Sequence, residues 1–218
     1  MNHIQEELQI LKMLLLKMMS IVDQQFTSGQ KILLKFNSLL AKKIVKNDSL
    51  VDELEIIIDH RCENILALYH PLAIDLRFIL AVLKINYDLE RVADYIEGVA
   101  KQLIYLNETI DSLLLKELQL PTMFECAHDM FNMAVSSFEK ENLSMVNKVF
   151  EKDKILDAIN LEGYKKIETF IINNPKKTRH CLYLFSILRK LERIGDLVEN
   201  ITEDLVFYIN AKVIKHSQ

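Results

Sequence analysis

Tryptophan is absent from this chain of 218 residues, and glycine (4), proline (3) and cysteine (3) are scarce. With so few breakers, regular structure has to run in long unbroken elements. Apolar residues alternating with period two are also missing, which excludes half-buried strands and leaves an all-α fold. Cys62, Cys126 and Cys181 are isolated, odd in number and form no CxxC. That pattern argues against a disulfide framework or a thiolate zinc site. It predicts buried apolar thiols in a reducing compartment.

No basic stripe exists either. The net charge is −4, so no nucleic-acid partner is expected, because phosphate neutralisation needs a positive surface. The first residues lack a secretory signal, with Glu6 and Glu7 ahead of the first apolar run and Lys12 and Lys17 inside it. No stretch reaches the roughly 18 uninterrupted apolar residues of a membrane span. A cytoplasmic protein without direct membrane insertion is the expectation. A Gly-rich phosphate loop, a Walker-type lysine and a nucleophile–base constellation are likewise missing, so no enzyme is expected.

What the chain has in abundance is amphipathic helix. Ile4, Leu8, Leu11, Leu15, Met18 and Val22 recur at spacings of three and four, predicting a first helix over 3–35 with Ser28-Gly29 as its weak point. Asn37-Ser38 supplies an N-cap for a second helix, which Pro71 should end near Tyr69. A third runs from after Pro71 to about Leu106, and the segment 107–120 is expected to be a linker with at most a helical turn. From Pro121 the plan repeats. Helices are predicted over 122–140, from an N-cap at Asn142 to Asn173-Asn174-Pro175, and over 176–212. His60, His70, His180 and His216 fall at helix ends or beside charges, where capping or solvation is expected.

Corresponding landmarks keep nearly constant offsets: 105 for Asn37 and Asn142, for Asp48 and Asp153, and for Asp52 and Asp157. The offset is 104 for Pro71 and Pro175 and 102 for Glu90 and Glu192. One small loop deletion explains the drift. The chain is therefore expected to be two tandem three-helix units, residues 1–107 and 108–218.

The chemistry lies in acids that recur in register. Leu89, Glu90, Arg91, Asp94 and Glu97 return as Leu191, Glu192, Arg193, Asp196 and Glu199. Residues three and four apart share a helix face, so each copy aligns three carboxylates. The second helix carries Asp48, Asp52, Glu55 and Asp59 on one stripe, and its counterpart carries Asp153 and Asp157. Spacing alone would mean little: about two acid-x-x-x-Asp pairs are expected from this composition, and six occur. Four of the six form two matched sets, one on the second and one on the third helix of each unit. A merely solvated face, supported by cations such as Arg189 and Arg193, would not be expected to keep them in both halves. If those helices are neighbours, carboxylates face each other across the gap. Oxygen-only donors suit magnesium, calcium, manganese or ferric iron, and bridging carboxylates favour more than one ion. A ferritin-like di-iron oxidase is the competing metal reading, but its Glu-x-x-His occurs once, at Glu125 and His128, where two are needed.

These residues carry a resemblance. The paired units, Pro71 followed by Asp75-Leu76-Arg77, Leu89-Glu90-Arg91 with Asp94, and Leu191-Glu192-Arg193-Ile194-Gly195-Asp196 are similar to the PhoU family, from the Ile21-Val22-Asp23-Gln24-Gln25 stretch to the last helix. The resemblance implies two pseudo-symmetric three-helix bundles, a homodimer, and multinuclear metal sites of iron, manganese, magnesium or zinc. It implies the ligands Asp48, Asp52, Glu90, Asp94 and Glu97 in the first unit and Asp153, Asp157, Glu192, Asp196 and Glu199 in the second. It further implies negative regulation of high-affinity phosphate uptake and of the phosphate-starvation response, through the phosphate transporter ATPase and a sensor histidine kinase. A PhoU-like regulator of a low-affinity phosphate permease is the alternative. The units differ where Ala93 and Gly98 stand against Gly195 and Asn200, and where Arg179-His180-Cys181 replaces Asp-Leu-Arg. Arg77 is thus a candidate for a partner surface, or for a salt bridge near the cluster, in the first unit alone.

Overall fold

The computed structural model describes residues 3–110 and 112–211. Among them are seven α-helices: α1 (His3–Leu34), α2 (Ser38–Tyr69), α3 (Ile74–Leu106), α4 (Ser112–Glu117), α5 (Leu120–Lys140), α6 (Val146–Asn173) and α7 (Thr178–Asn210), with a 3-10 turn at Pro175–Lys177. The expected all-α architecture is what these residues form. The longest helices, at 32 or 33 residues, span about 50 Å at 1.5 Å per residue.

Local signals account for several boundaries. Asn37 caps α2, its side chain accepting from the Leu40 N–H at 3.0 Å. The same helix stops at Tyr69, two residues before Pro71, with His70 in the left-handed region. Other boundaries differ from expectation. Ser28-Gly29 does not interrupt α1; the glycine instead admits a neighbour, since a Cβ there would stand 2.6 Å from Phe124 Cζ on α5. Asn142 does not cap α6. Glu141 turns left-handed to end α5, the Asn142 side chain accepts from the Ser144 N–H at 2.8 Å, and the helix starts at Val146. The expected linker holds α4, and Pro121 sits in the first turn of α5, where its missing N–H is harmless. Lys212 and His216 lie outside the described residues.

Helices α1, α2 and α3 pack on one another, as do α5, α6 and α7. The halves meet chiefly through α3 against α7, and also α1 against α5. Lys84 with Asp204, Tyr95 with Lys190 and Gln102 with Ser186 pair along the α3–α7 seam with opposite numerical trend, so the two helices run antiparallel. A single apolar core, with Phe26, Phe124, Phe131 and Phe138 fully buried, continues through both halves. Cys62, Cys126 and Cys181 are buried and free, and burial pushes the Cys62 thiol up to about 12. No helix among the described residues is long and apolar enough to cross a membrane.

Candidate metal centres

Each half brings acids of its second and third helices together. In the first, Asp48 of α2 and Asp94 and Glu97 of α3 each offer an oxygen, all within 4.8 Å of one another. In the second, Asp153 and Asp157 of α6 converge likewise with Asp196 of α7. Asp52 and Glu90 flank the first cluster: Asp52 helps to raise Asp48, and Glu90 is itself raised by burial and by Asp94, Asp52 and Asp48. Glu192 and Glu199 help to raise Asp153 beside the second. All ten expected residues therefore gather at two places, though the tightest three differ between halves: Glu97 enters the first trio, where Asp157 enters the second. Glu55, the next acid on the α2 stripe, also lies near Glu90.

The inner carboxylate of each trio is buried. Asp48 is 6% exposed and Asp153 7%, because the α2 and α6 registers place them among core residues such as Val51 and Leu156. Burial, then the neighbouring acids, lifts Asp48 to about 6 and Asp153 to about 7. Glu90 rises to about 7 for the same reasons, and Glu192 is raised although Arg189 and Arg193 oppose the shift. Desolvated like charges at such range are costly in folded protein.

Partial compensation differs between the halves. Lys101 pairs with Glu97 one turn away, at 2.5 Å. Gln25 of α1, 2% exposed, donates from Nε2 to Asp48 Oδ1 at 3.1 Å. In the second half, Arg193 bonds Asp196 at 3.0 Å, and Arg189 and Arg193 stand 3.6 and 3.7 Å from Glu192. Nothing among the described residues bonds the buried Asp153 Oδ1. Gly195 leaves the space that oxygen occupies, since a Cβ there would come within 2.7 Å of it. Three converging carboxylates, all-oxygen donors and an orphaned buried oxygen fit a divalent or trivalent hard cation.

Arg77 lies 17 residues before Asp94 on the same helix, about 25 Å along the axis, so it makes no salt bridge near the cluster. Its Nε is buried without a hydrogen-bond partner. His128 belongs to neither cluster. Its Nε2 lies 2.6 Å from Asp23 of α1, and its ring stacks on Phe26 with centroids 4.9 Å apart. His60 faces Glu63 and His180 faces Glu108. Gln25 is the side chain beside the first cluster that the sequence marks least. Its only signal is a polar residue continuing the apolar stripe of Leu15, Met18 and Val22.

Comparison with known proteins bears on the family and the fold. A family model described as the PhoU domain matches twice, over residues 15–103 and 120–205. A phosphate-specific transport system accessory protein PhoU homolog of Aquifex aeolicus is 32% identical, covering 97% of this chain and 95% of that protein. A PhoU homolog 1 of Thermotoga maritima is 29% identical over 98% of this chain and 91% of its own. The crystal structure of PhoU from Pseudomonas aeruginosa superposes with a TM-score of 0.89 at 27% identity, over 95% of this chain and 99% of that one.

Proposed function

The chain belongs to the PhoU domain family, and from that premise we propose that it is an accessory regulator of phosphate transport whose two carboxylate clusters bind metal ions. It restrains high-affinity phosphate uptake and phosphate-starvation signalling by contacting the transporter ATPase and a sensor histidine kinase. It works as a homodimer in the cytoplasm, where those partners present their soluble domains, and has no catalytic chemistry of its own. Its halves, 1–107 and 108–218, are duplicated units that each build one centre. The names of its relatives support the transport role, since they are accessory proteins of phosphate-specific transport systems.

The observation that carries the metal reading is the recurrence of one constellation in both halves. Asp48 with Asp94 and Glu97, and Asp153 with Asp157 and Asp196, are like charges gathered together, and in the second set Asp153 Oδ1 and Glu192 Oε2 are buried without a hydrogen-bond donor among the described residues. Asp52 and Glu90, and Glu192 and Glu199, stand close enough to complete the two sets. A bound cation supplies positive charge beyond what Lys101, Arg189 and Arg193 bring, and with it cohesion between the second and third helices of each unit. The protein's own residues bury Asp48 and Asp153 and leave Asp94 and Asp157 open to solvent, so each set has a desolvated inner carboxylate and an accessible outer one.

Deleting the gene should derepress a phosphate-starvation reporter at high phosphate, and restoring the wild-type gene should silence it. A reporter that stays silent in the deletion strain overturns the regulatory reading.

A further inference from the structure

Gln25 sits where a solvent-exposed-type side chain has no ordinary reason to be. It lies on α1, a helix that contributes no acid to the first cluster, and is 2% exposed among core residues. Half of its amide is used, Nε2 donating to Asp48 Oδ1. The other half, Oε1, is buried without a partner. A buried carbonyl left unpaired is costly, and here it is an acceptor that the metal-free protein does not use.

The amide nitrogen and oxygen are nearly isosteric and about 2.2 Å apart. Half a turn about the last side-chain bond exchanges them. Oε1 would then occupy the place of Nε2, 3.1 Å from Asp48 Oδ1. Two oxygens repel there in the metal-free protein. Two oxygens bound at about 2.1 Å to adjacent corners of one cation lie about 3 Å apart. The same position is therefore poor without a cation and right with one.

Resting on the metal reading above, we propose that Gln25 is a ligand of the first centre, donating to Asp48 when the site is empty and turning its carbonyl oxygen to the cation when it fills. Helix α1 thereby joins α2 and α3 in sensing occupancy. Among the described residues, no third-helix amide reaches Asp153 Oδ1 in the second centre. The residue 105 positions on from Gln25, the offset that relates Asp48 to Asp153, is Met130, which has no proton to donate. Asp153 Oδ1, on the inner carboxylate of that centre, has no hydrogen-bond partner among the described residues. The two centres are consequently of different kinds: one carries an amide on a swivel, the other an unrelieved carboxylate.

Manganese binding tests this. In an Asp153→Asn/Asp196→Asn background, which retains only the first centre, Mn²⁺ is titrated by calorimetry and by the EPR signal of the free ion. Gln25→Leu, which removes both ends of the amide, should weaken binding about tenfold or more, whereas Gln25→Glu, which keeps an oxygen, should bind as tightly as the parent or more so. The side-chain amide resonance of Gln25, assigned by its loss in the Leu variant, should move on adding Mg²⁺. Binding by Gln25→Leu within twofold of the parent overturns the inference, as does an equal loss in the Leu and Glu variants, which would mark a prop for Asp48 and nothing more. Should the Leu variant fail to fold, weaker binding by the Glu variant overturns it too. Absence of Mn²⁺ binding to the wild-type chain is a different failure and overturns the metal reading itself.

Discussion

Replacing Asp153 with asparagine should flatten the pH dependence of stability in the metal-free protein. In the folded chain the Asp153 carboxyl is raised from 3.8 to about 7, by burial first and then by Glu199, Asp157, Asp196 and Glu192. Between those values the folded state holds a proton that the unfolded state has released. Stability from this group is therefore complete below about pH 4 and drains away as pH rises through about 7. At about 1.4 kcal/mol per pH unit the whole effect is about 4 kcal/mol, of which about 3 kcal/mol falls between pH 5 and 7. For a chain of this length that is a fall in Tm of about 10 °C. Thermal unfolding followed by circular dichroism in chelator, at pH 5, 6, 7 and 8, measures it. The wild type should lose at least that much, because Asp48 and Glu90 drain in the same direction from about 6 and about 7. The variant should lose about 10 °C less over the same range, and saturating Mn²⁺ should shrink the wild-type fall. Parallel curves for the two proteins in chelator would refute the claim that Asp153 is a costly buried charge.

Gly195→Ala should cost about 1–3 kcal/mol, because its Cβ would stand 2.5 Å from Leu156 Cδ1 and 2.7 Å from Asp153 Oδ1. It should weaken Mn²⁺ binding at the second centre only, and urea melts indistinguishable from wild type would contradict it. Glu192→Ala combined with Asp196→Ala should strip metal from the second unit while leaving far-UV helicity intact; unchanged metal content in the purified protein would sink the site assignment.

Much of the fold was legible because it depends on local rules. Asn37 followed by Ser38 is an N-cap wherever it precedes an apolar period, and Pro71 bars helix at the residue before it. The acids were legible as stripes for the same reason, since periodicity fixes which residues share a face. What periodicity does not fix is how far each helix is rotated toward its neighbour. That rotation is set by packing, and it decides that Glu97 rather than Glu90 closes on Asp48. Asn142 misled because the same residue type serves a turn as readily as a cap, and the left-handed Glu141 before it settles which. Gln25 was hidden for a further reason: its significance lies 23 residues away, on another helix.

Duplication accounts for the likeness of the two centres and also for where they differ. The acids stand on the helices that pack within each half, so both copies keep the constellation. The compensating groups come from elsewhere: Gln25 from α1, Lys101 from the next turn of α3, and Arg189 and Arg193 from α7 itself. Lys101, Arg189 and Arg193 are at least partly exposed and can diverge without disturbing the core, whereas Gln25 is buried in it. Ala93 and Gly195, at matching places on α3 and α7, show the coupling between the two kinds of position. Where the helix carries a Cβ, the aspartate of the neighbouring helix is held by an amide; where it does not, the aspartate oxygen fills the space a Cβ would take and has no hydrogen-bond partner among the described residues. A site copied as geometry has thus come to hold charge in two ways, and α3 and α7, which carry the two versions, are the helices that bind the halves together.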